Sequence, residues 1–227
     1  MKAVVLLSGG QDSTTCLYWA LDKFTEVEAV CVNYGQRHSM EVDAAIAIAA
    51  AAGVPLDVIH VPGVLGGSSP LVSATPLETY DAPKDMPTGV DPTFVPARNI
   101  LLLSVAANHA AKIDARHLVT GVCEADGTGY PDCRQVFIDS MGPTIGLGLY
   151  GDPNHFTIHT PLMTLTKAET VKLATEFDGC MAALAITRTC YSSSPEPCGV
   201  CHACIVRRTG FEDAGIPDPL FTKQASE

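Results

Sequence analysis

Residues 8–13 read S-G-G-Q-D-S, directly after the apolar run 3–7 and directly before residues 14–21, which can form a helix. The two glycines let the backbone turn tightly and approach an anion, and the free N–H groups at the start of a helix supply donors with a favourable dipole. The hydroxyl groups of Ser8, Ser13 and Thr14 add further donors. The pattern therefore predicts a phosphate-binding loop between a strand and a helix.

An acid stands in this loop where a Walker A loop carries a lysine. The chain contains no G-K-[ST] sequence, which excludes a Walker A loop. Asp12 suits an anion site if a divalent metal bridges it to the phosphates; the alternative is an ordinary Ser/Gly turn in which Asp12 caps the helix. The loop resembles the signature of the ATP pyrophosphatase (PP-loop) family, which implies an enzyme that adenylates its substrate.

Length and composition favour one sizeable core and a small-molecule substrate. The chain has 227 residues, of which 47% are apolar, and 14 basic against 25 acidic residues give a net charge of −11. Such a charge repels polyphosphate backbones and disfavours tRNA as a partner. We expect an α/β domain over residues 1–180 and a C-terminal module with a tail over residues 181–227.

The chain begins without the apolar segment of a signal peptide, and its longest apolar stretch, residues 100–111, is too short to span a bilayer. We therefore expect a cytoplasmic location. Nine cysteines in such a chain indicate metal binding or chemistry rather than a disulfide framework.

Short runs rich in Val and Ile alternate with helical patterns along the chain. Runs at 3–7, 27–32, 58–61 and 117–122 predict strands, and the patterns at 40–52 and 97–111 predict helices. This alternation is typical of a doubly wound parallel sheet. Residues 63–96 form a long Gly/Pro-rich connection, which we expect near the active site.

Two further motifs bear on local structure. Thr166 and Glu169 form a T-x-x-E capping box, which predicts a helix toward Phe177 with Lys167 in its first turn. Lys167 there faces either an anion or solvent. The sequence G-L-G-L-Y-G at 146–151 matches a dinucleotide-binding pattern, but it follows a predicted helix rather than a strand, so we expect a loop.

A cysteine cluster lies near the C-terminus. Cys198, Cys201 and Cys204 form C-x2-C-x2-C, and Cys190 lies eight positions upstream, so four thiolates can hold one tetrahedral ion. We expect one structural zinc ion per chain. An iron–sulfur cluster is the alternative, although the fourth Cys of a ferredoxin motif is absent. His202 is expected outside the ligand set.

The phosphate loop together with this cluster resembles the 7-cyano-7-deazaguanine synthase (QueC) family of the PP-loop superfamily, over nearly the whole chain. The further segments that carry the resemblance are Y-G-Q-R-H at 34–38, F-V-P-A-R-N at 94–99, G-V-C-E at 121–124, G-Y-P-D-C-R at 129–134, T-P-L-M at 160–163, K-A-E at 167–169, T-C-Y at 189–191 and D-A-G-I-P-D-P at 213–219. The chain departs from the family at Ala97, where the family usually has Gly.

The resemblance implies an α/β fold with a doubly wound parallel sheet of the adenine nucleotide alpha hydrolase type and a small C-terminal zinc-binding module. It also implies a homodimer of the queuosine pathway that converts 7-carboxy-7-deazaguanine and ammonia to 7-cyano-7-deazaguanine. Two ATP with Mg²⁺ are used, by way of an acyl adenylate, an amide and an adenylated amide. The alternatives are a ligase that stops at the amide, a PP-loop enzyme that modifies tRNA, and a zinc-knuckle module without catalysis.

The resemblance further implies roles for individual residues. The catalytic set would be Asp12 as the magnesium partner, Ser13, Arg98 and Lys167. The ATP-binding set would be Leu7, Ser8, Gly9, Gly10, Gln11, Asp12, Ser13, Thr14, Thr15, Cys16 and Leu17. The substrate-binding set would be Arg37, Arg98, Asn99, Asp126, Tyr130, Asp132 and Arg134.

Chemistry suggests how these residues would act. Arg98 suits the substrate carboxylate, Tyr130 offers a stacking ring, and an acceptor at Asp126 or Asp132 suits the deazaguanine N–H groups. Arg134 and Lys167 could neutralise phosphate charge. Structural alternatives are an ion pair for Arg98, packing on Pro131 for Tyr130, and helix capping for Arg37 and His38.

Overall fold

A five-stranded parallel sheet forms the centre of the molecule. The computed structural model describes residues 1–35, 40–87, 89–124, 129–192, 194 and 196–222. The strands are β1 (Lys2–Leu6), β2 (Glu26–Asn33), β3 (Leu56–His60), β4 (His117–Val119) and β5 (Thr157–His159), in the order β3-β2-β1-β4-β5, with every neighbouring pair parallel. The predicted doubly wound parallel sheet is confirmed, and the short edge strand β5 is an addition to the four predicted strands.

Eight helices cover the two faces of this sheet in the described part of the chain. They are α1 (Gln11–Lys23), α2 (Met40–Ala52), α3 (Arg98–Lys112), α4 (Gln135–Tyr150), α5 (Lys167–Ala174), α6 (Cys180–Leu184), α7 (His202–Ala214) and α8 (Pro219–Thr222). Short 3-10 turns occur at Pro83–Asp85 and Pro131–Cys133. Within the described residues, none of these helices is long and apolar enough to cross a membrane.

The pleat of β1 divides the core into two parts. Ala3 and Val5 point to one face and join a cluster with residues of α1, α2, α5, α6 and α7, whereas Val4 points to the other face and packs with α3 and α4. These β1 residues are fully buried, as expected for the central strand of a doubly wound sheet. Phe211 of α7 lies in the first cluster, so the C-terminal segment shares a core with β1. The domain boundary expected at residue 180 stays a prediction.

The capping box predicted at the start of α5 is confirmed. The Thr166 hydroxyl accepts a hydrogen bond from the Glu169 N–H at 3.2 Å, and the Glu169 carboxylate accepts one from the Thr166 N–H at 2.8 Å. The Thr166 N–H and the Thr166 hydroxyl, which both donate to the Glu169 carboxylate at 2.8 Å, hold the pKa of Glu169 below its usual value. They fix where α5 begins, which places Lys167 at its first position.

The loop predicted for G-L-G-L-Y-G was wrong. Its first five residues form the last turns of α4, and Gly151 ends that helix in the left-handed conformation, with φ 69°. Gly146 is required by packing, since a Cβ there would lie 3.1 Å from the Pro153 carbonyl oxygen and closer still to that of Asp152. The C-terminal tail contributes one further short helix, α8.

The departure from the family pattern at Ala97 coincides with an unusual backbone conformation. Ala97 has φ 63° and ψ 9°, the left-handed region, immediately before Arg98 begins α3. A side chain there clashes with the following carbonyl oxygen, whereas glycine carries no such penalty. The chain therefore begins the Arg98 helix from a strained residue.

Ala97→Gly should stabilise the protein. Glycine removes the left-handed strain, which stabilises the folded state by about 1–2 kcal/mol. Its larger conformational entropy in the unfolded chain costs roughly 0.5–1 kcal/mol, so the net effect is a stabilisation. A gain of about 1 kcal/mol raises the Tm by roughly 2–4 °C in a chain of this size. Thermal and urea unfolding measure it.

Ala47→Gly is the matched control, since Ala47 is exposed in the middle of α2 with a helical backbone. The control should lose about 1 kcal/mol. Equal losses for both variants would contradict the strain at Ala97.

Candidate active site

A cavity of about 310 Å³ opens at the carboxyl edge of the sheet. It is lined by the loop after β1, by Tyr34 after β2, and by residues 120–123 after β4. The strand order reverses between β1 and β4, and open α/β sheets bind their ligands at such a switch point. The topology therefore places the predicted phosphate loop where a ligand is expected.

The loop 8–13 leaves the start of α1 available to an anion. Gly10 is the N-cap of α1, and no side chain caps the helix. The Ser13 hydroxyl instead holds the loop, because it accepts from the Ser8 N–H at 3.1 Å and donates to the Gly10 carbonyl oxygen at 3.2 Å. Asp12 is the second residue of α1, so the alternative in which Asp12 caps this helix is wrong.

Two glycines let neighbouring backbones close around the loop. Gly9 has φ 88°, and a Cβ there would overlap the Glu41 carbonyl oxygen of α2 and lie 2.9 Å from the Ala45 nitrogen. A Cβ on Gly121, after β4, would lie 3.1 Å from the backbone of Asp12 and Ser13. The loop is therefore held between α2 and the β4 segment by direct backbone contact.

Asp12 and Lys167 form an ion pair in the cavity. The Lys167 Nζ donates to both Asp12 carboxylate oxygens at 2.8 Å, across 155 positions of sequence. Both side chains are partly buried. Of the two interpretations of Lys167, the structure favours the one in which Lys167 lies beside an anion, here the carboxylate of the phosphate loop.

Gly210 of α7 makes room for Lys167. A Cβ on Gly210 would lie 2.9 Å from the Lys167 Cβ and closer still to its Cγ. The helix that follows the cysteine cluster thus packs on the lysine that reaches the phosphate loop.

A second part of the cavity wall is built around Arg98 and Tyr130. The Arg98 guanidinium lies 5.8 Å from the centre of the Tyr130 ring and shares a side-chain hydrogen bond with Tyr34. The Tyr130 ring packs 5.3 Å from that of Phe94, and its hydroxyl bonds to Thr93. Tyr130 thus contacts Arg98 and Phe94 and lies beside the guanidinium predicted to bind the substrate carboxylate.

Asn99 and Asp132 support this wall through hydrogen bonds. The Asn99 backbone N–H donates to the Asp132 carboxylate at 3.2 Å, and the Asn99 side chain donates to the Asp132 carbonyl oxygen at 3.1 Å. Asp132 is buried and is not part of the cavity lining, whereas Asn99 is. Asp132 thus holds the first turn of α3.

The cavity brings together most of the predicted site. The predicted residues that line it are Leu7, Ser8, Gly10, Gln11, Asp12, Ser13, Arg98, Asn99, Tyr130 and Lys167. Thr14, Thr15, Cys16 and Leu17 are buried in α1 behind the loop, and Arg134 is the N-cap of α4 outside the lining. The predicted Arg37, His38 and Asp126 lie outside the described residues.

Sequence reasoning gave no role to several lining residues, among them Glu41, Arg188 and Tyr191. The Arg188 N–H donates to the Gly9 carbonyl oxygen at 2.8 Å, and its guanidinium donates to the carbonyl oxygens of Ser192 and Ser194. Glu41 is one of two acids, with Asp43, in the first turn of a helix that is apolar after it, which is the one signal the sequence offers for Glu41. Burial raises the pKa of Glu41 to about 7, although Arg98 and Arg188 lower it.

The four predicted cysteines form a second candidate site. The Sγ atoms of Cys190, Cys198, Cys201 and Cys204 all lie within 4.8 Å of one another. Backbone N–H groups of Ser192 and Cys198 donate to the Cys190 Sγ at 3.3 Å, and that of Cys201 donates to the Cys198 Sγ at 3.3 Å. Four converging thiols with N–H donors to sulfur fit a single metal ion.

His202 links this cluster to the cavity. It is the first residue of α7, it is buried, and its Nε2 lies 3.9 Å from the Asp91 carboxylate. It also lines the cavity. The long connection 63–96 contributes Leu71 to the lining, and its Tyr80 N–H donates to the Val200 carbonyl oxygen within the cysteine cluster. This connection therefore lies near the site, as expected.

Comparisons with known proteins point to one family. Residues 2–215 match the model of a family described as "Queuosine biosynthesis protein QueC". A 7-cyano-7-deazaguanine synthase of Gloeobacter violaceus is 51% identical over 223 residues, covering 97% of this chain and 95% of that protein. Enzymes of the same name from Laribacter hongkongensis and Chromobacterium violaceum are each 46% identical to this chain. The matches cover 98% and 100% of this chain, respectively, and 95% of each relative.

A solved structure shows a similar fold. It is described as a predicted subunit of a tRNA methyltransferase from Methanocaldococcus jannaschii, with a TM-score of 0.50 and 19% identity over 78% of this chain and 75% of that one. This likeness concerns the fold alone.

Gly210→Ala should disturb the contact between α7 and Lys167. The added methyl group overlaps the base of the Lys167 side chain, which cannot move without displacing the start of α5, so we expect a loss of about 1–3 kcal/mol. Thermal unfolding measures the loss.

The control is Gly148→Ala, since Gly148 lies in α4 and a methyl group added there would meet nothing within 4 Å beyond its own helix. Alanine should stabilise α4 there by up to about 1 kcal/mol. A Gly210→Ala variant as stable as the wild type would show that this packing is not tight.

Proposed function

The chain belongs to the QueC family, and on that premise we propose that it converts 7-carboxy-7-deazaguanine and ammonia to 7-cyano-7-deazaguanine with the consumption of two ATP. Membership makes the chain an enzyme, and its named relatives are 7-cyano-7-deazaguanine synthases. The observation that carries the proposal is one cavity that joins an uncapped helix start to an arginine stacked on a tyrosine.

The phosphate loop would hold the β and γ phosphates of ATP. The free N–H groups at the start of α1 and the hydroxyls of Ser8 and Ser13 supply donors, and Gly9 lets the backbone approach closely. Asp12 would hold a Mg²⁺ ion, which supplies charge neutralisation for the departing pyrophosphate. Lys167 already lies 2.8 Å from Asp12 and can turn toward a phosphate oxygen.

Arg98 and Tyr130 would hold the deazaguanine. A guanidinium binds a carboxylate through two parallel hydrogen bonds, and a neighbouring aromatic ring offers a stacking surface for the heterocycle. Asn99 fixes the helix turn that carries Arg98 through its bonds to Asp132. Arg98 and Tyr130 line the same cavity as the phosphate loop, so a bound carboxylate would lie near the α phosphate.

One site can perform both halves of the reaction. The substrate carboxylate attacks the α phosphorus of ATP and pyrophosphate leaves; ammonia then attacks the acyl carbon and AMP leaves, which gives the amide. The amide oxygen attacks the α phosphorus of a second ATP, and loss of AMP leaves the nitrile. Both adenylations require the same donors at the loop, so no second nucleotide site is needed.

The cysteine cluster would hold one structural zinc ion. Four thiolates and no open position are typical of structural rather than catalytic zinc. The ion would fix the segment before α7, and α7 in turn packs against Lys167 through Gly210. The homodimer and the cytoplasmic location stay predictions.

The alternative functions have less support. A tRNA substrate is disfavoured by the net charge of −11, because binding a polyanion requires basic surface. A ligase that stops at the amide would use the same cavity, and product analysis distinguishes it. A module without catalysis would not need the Asp12–Lys167 pair inside a cavity.

Purified protein mixed with 7-carboxy-7-deazaguanine, ATP, Mg²⁺ and ammonium should yield the nitrile and AMP, identified by mass spectrometry. Asp12→Ala should abolish AMP formation while the far-ultraviolet circular dichroism stays unchanged, because its partner Lys167 is only partly buried. Amide as the final product would support the shorter ligase. An active Asp12→Ala variant would contradict the role of Asp12.

Cys198→Ser should remove the bound metal and lower the Tm together, because metal binding is coupled to folding of the segment that supplies the ligands. Cys198 is the exposed member of the cluster, so lost packing does not explain the effect. Cys180→Ser is the control, since Cys180 is a buried thiol outside the cluster and its variant should keep the metal. A metal-free and fully stable Cys198→Ser variant would contradict structural zinc.

A further inference from the structure

Two acids line the cavity within the described residues, Asp12 and Glu41, and they differ in what holds them. Asp12 is paired with Lys167 at 2.8 Å through both oxygens. Among the described residues, no hydrogen bond or ion pair holds the Glu41 carboxylate. The chemistry assigned so far uses Asp12 and leaves Glu41 without a role.

The position of Glu41 is fixed by the phosphate loop itself. Glu41 is the second residue of α2, and its carbonyl oxygen packs so closely on Gly9 that a Cβ there would overlap it. The Glu41 side chain therefore starts beside the loop that would hold ATP, and Glu41 lines the cavity together with Arg98. A carboxylate so placed shares the cavity with Arg98, which would hold the substrate carboxylate that becomes adenylated.

The charges around Glu41 come from several elements. Two cations act on the Glu41 carboxylate: Arg98 of α3 and Arg188, which follows α6. The Glu41 charge in turn raises the pKa of Cys31 in β2 and that of Tyr34, which follows β2. Burial raises the pKa of the Glu41 carboxyl to about 7, against the lowering effect of the two arginines. A group with such a pKa can both take and release a proton near neutral pH.

The reaction needs a proton acceptor that faces nitrogen. Ammonia forms a C–N bond at the acyl adenylate, the C–O bond to AMP breaks with its electron pair, and the nitrogen must lose one proton to become an amide. In the second half, the adenylated amide loses its two remaining N–H protons as the C–O bond to AMP breaks and the third C–N bond forms.

We propose that Glu41 is the general base that removes protons from the substrate nitrogen, first during ammonia transfer and then during nitrile formation. The inference rests on the proposed function. The ionised carboxylate of Glu41 also attracts ammonium into a cavity that the cations Arg98, Arg188 and Lys167 line as well. The proton taken in each step passes to solvent before the next one.

Glu41→Gln tests this role, because glutamine keeps the shape and loses the base. Exchange of labelled pyrophosphate into ATP, measured with 7-carboxy-7-deazaguanine and no ammonia, reports adenylation alone and should stay within about threefold of the wild type. Amide formation should fall by about 100-fold or more, the usual contribution of a general base. Glu41→Asp, which retains a carboxylate, should recover part of the rate.

The pH profile separates a base from a structural acid. With free ammonia held constant at each pH, amide formation by the wild type should rise with pH through about 7, because the ionised carboxylate is the active form. Glu41→Gln should lack this inflection, and Glu41→Asp should keep one. Hydroxylamine, which is neutral at pH 7 and acquires a more acidic nitrogen on attack, should restore much of the Glu41→Gln rate.

The pH dependence of the free energy of unfolding shows whether Glu41→Gln folds normally. The pKa of Glu41 is about 7 in the folded state and 4.5 in the unfolded chain, so the free energy of unfolding of the wild type rises as the pH falls from 7 to 4.5. Above pH 7 the wild type lacks this stabilisation. Glu41→Gln should therefore be at least as stable as the wild type at pH 8.

Each outcome bears on the proposal differently. Intact pyrophosphate exchange with lost amide formation and a lost inflection supports Glu41 as the base. Loss of pyrophosphate exchange in both Glu41→Gln and Glu41→Asp overturns the proposal and makes Glu41 a positioning residue for Arg98. An unchanged rate of amide formation in Glu41→Gln also overturns the proposal. A wild-type chain that shows no exchange overturns the proposed function and this inference with it.

Discussion

Close approach of three backbones at the carboxyl edge of the sheet is the constraint on which the rest of the structure depends. The loop after β1 lies between the start of α2 and the segment after β4, and Gly9 and Gly121 are the residues that make both contacts possible. Because the loop cannot shift without a clash on one side, the start of α1 stays oriented toward the cavity. A fixed row of N–H donors is what an anion site requires, since donors that must reorganise contribute less to a transition state.

The charges around this loop are collected from distant parts of the chain. Lys167 begins α5, Arg98 begins α3 and Arg188 follows α6, and all three reach a cavity in a protein whose net charge is −11. The net negative charge of the protein disfavours binding of nucleic acid. The cations in the cavity concentrate positive charge where phosphate and carboxylate groups would meet. The cysteine cluster is connected to this cavity, because α7 begins within the cluster and packs directly on Lys167.

Much of this arrangement could be predicted from local patterns. The bounds of α2, the capping box at Thr166 and the order of strands and helices follow from periodicity and turn chemistry, and four cysteines with ligand spacing do converge. Glu41 and Arg188 could not be found in this way, because their proximity arises from packing across the sheet edge rather than from spacing in sequence. The G-L-G-L-Y-G stretch misled us for a related reason: Gly146 serves a close contact with residues 152–153, which a local pattern does not reveal.

The central claim is that one cavity adenylates first a carboxylate and then an amide, and the fate of the carboxylate oxygens tests it most directly. 7-Carboxy-7-deazaguanine carrying heavy oxygen at both carboxylate positions is turned over to the nitrile, and the AMP is analysed by mass spectrometry. The account predicts that both AMP molecules formed per nitrile carry one heavy oxygen each. Unlabelled AMP, with the heavy oxygen in pyrophosphate or in water, would contradict it.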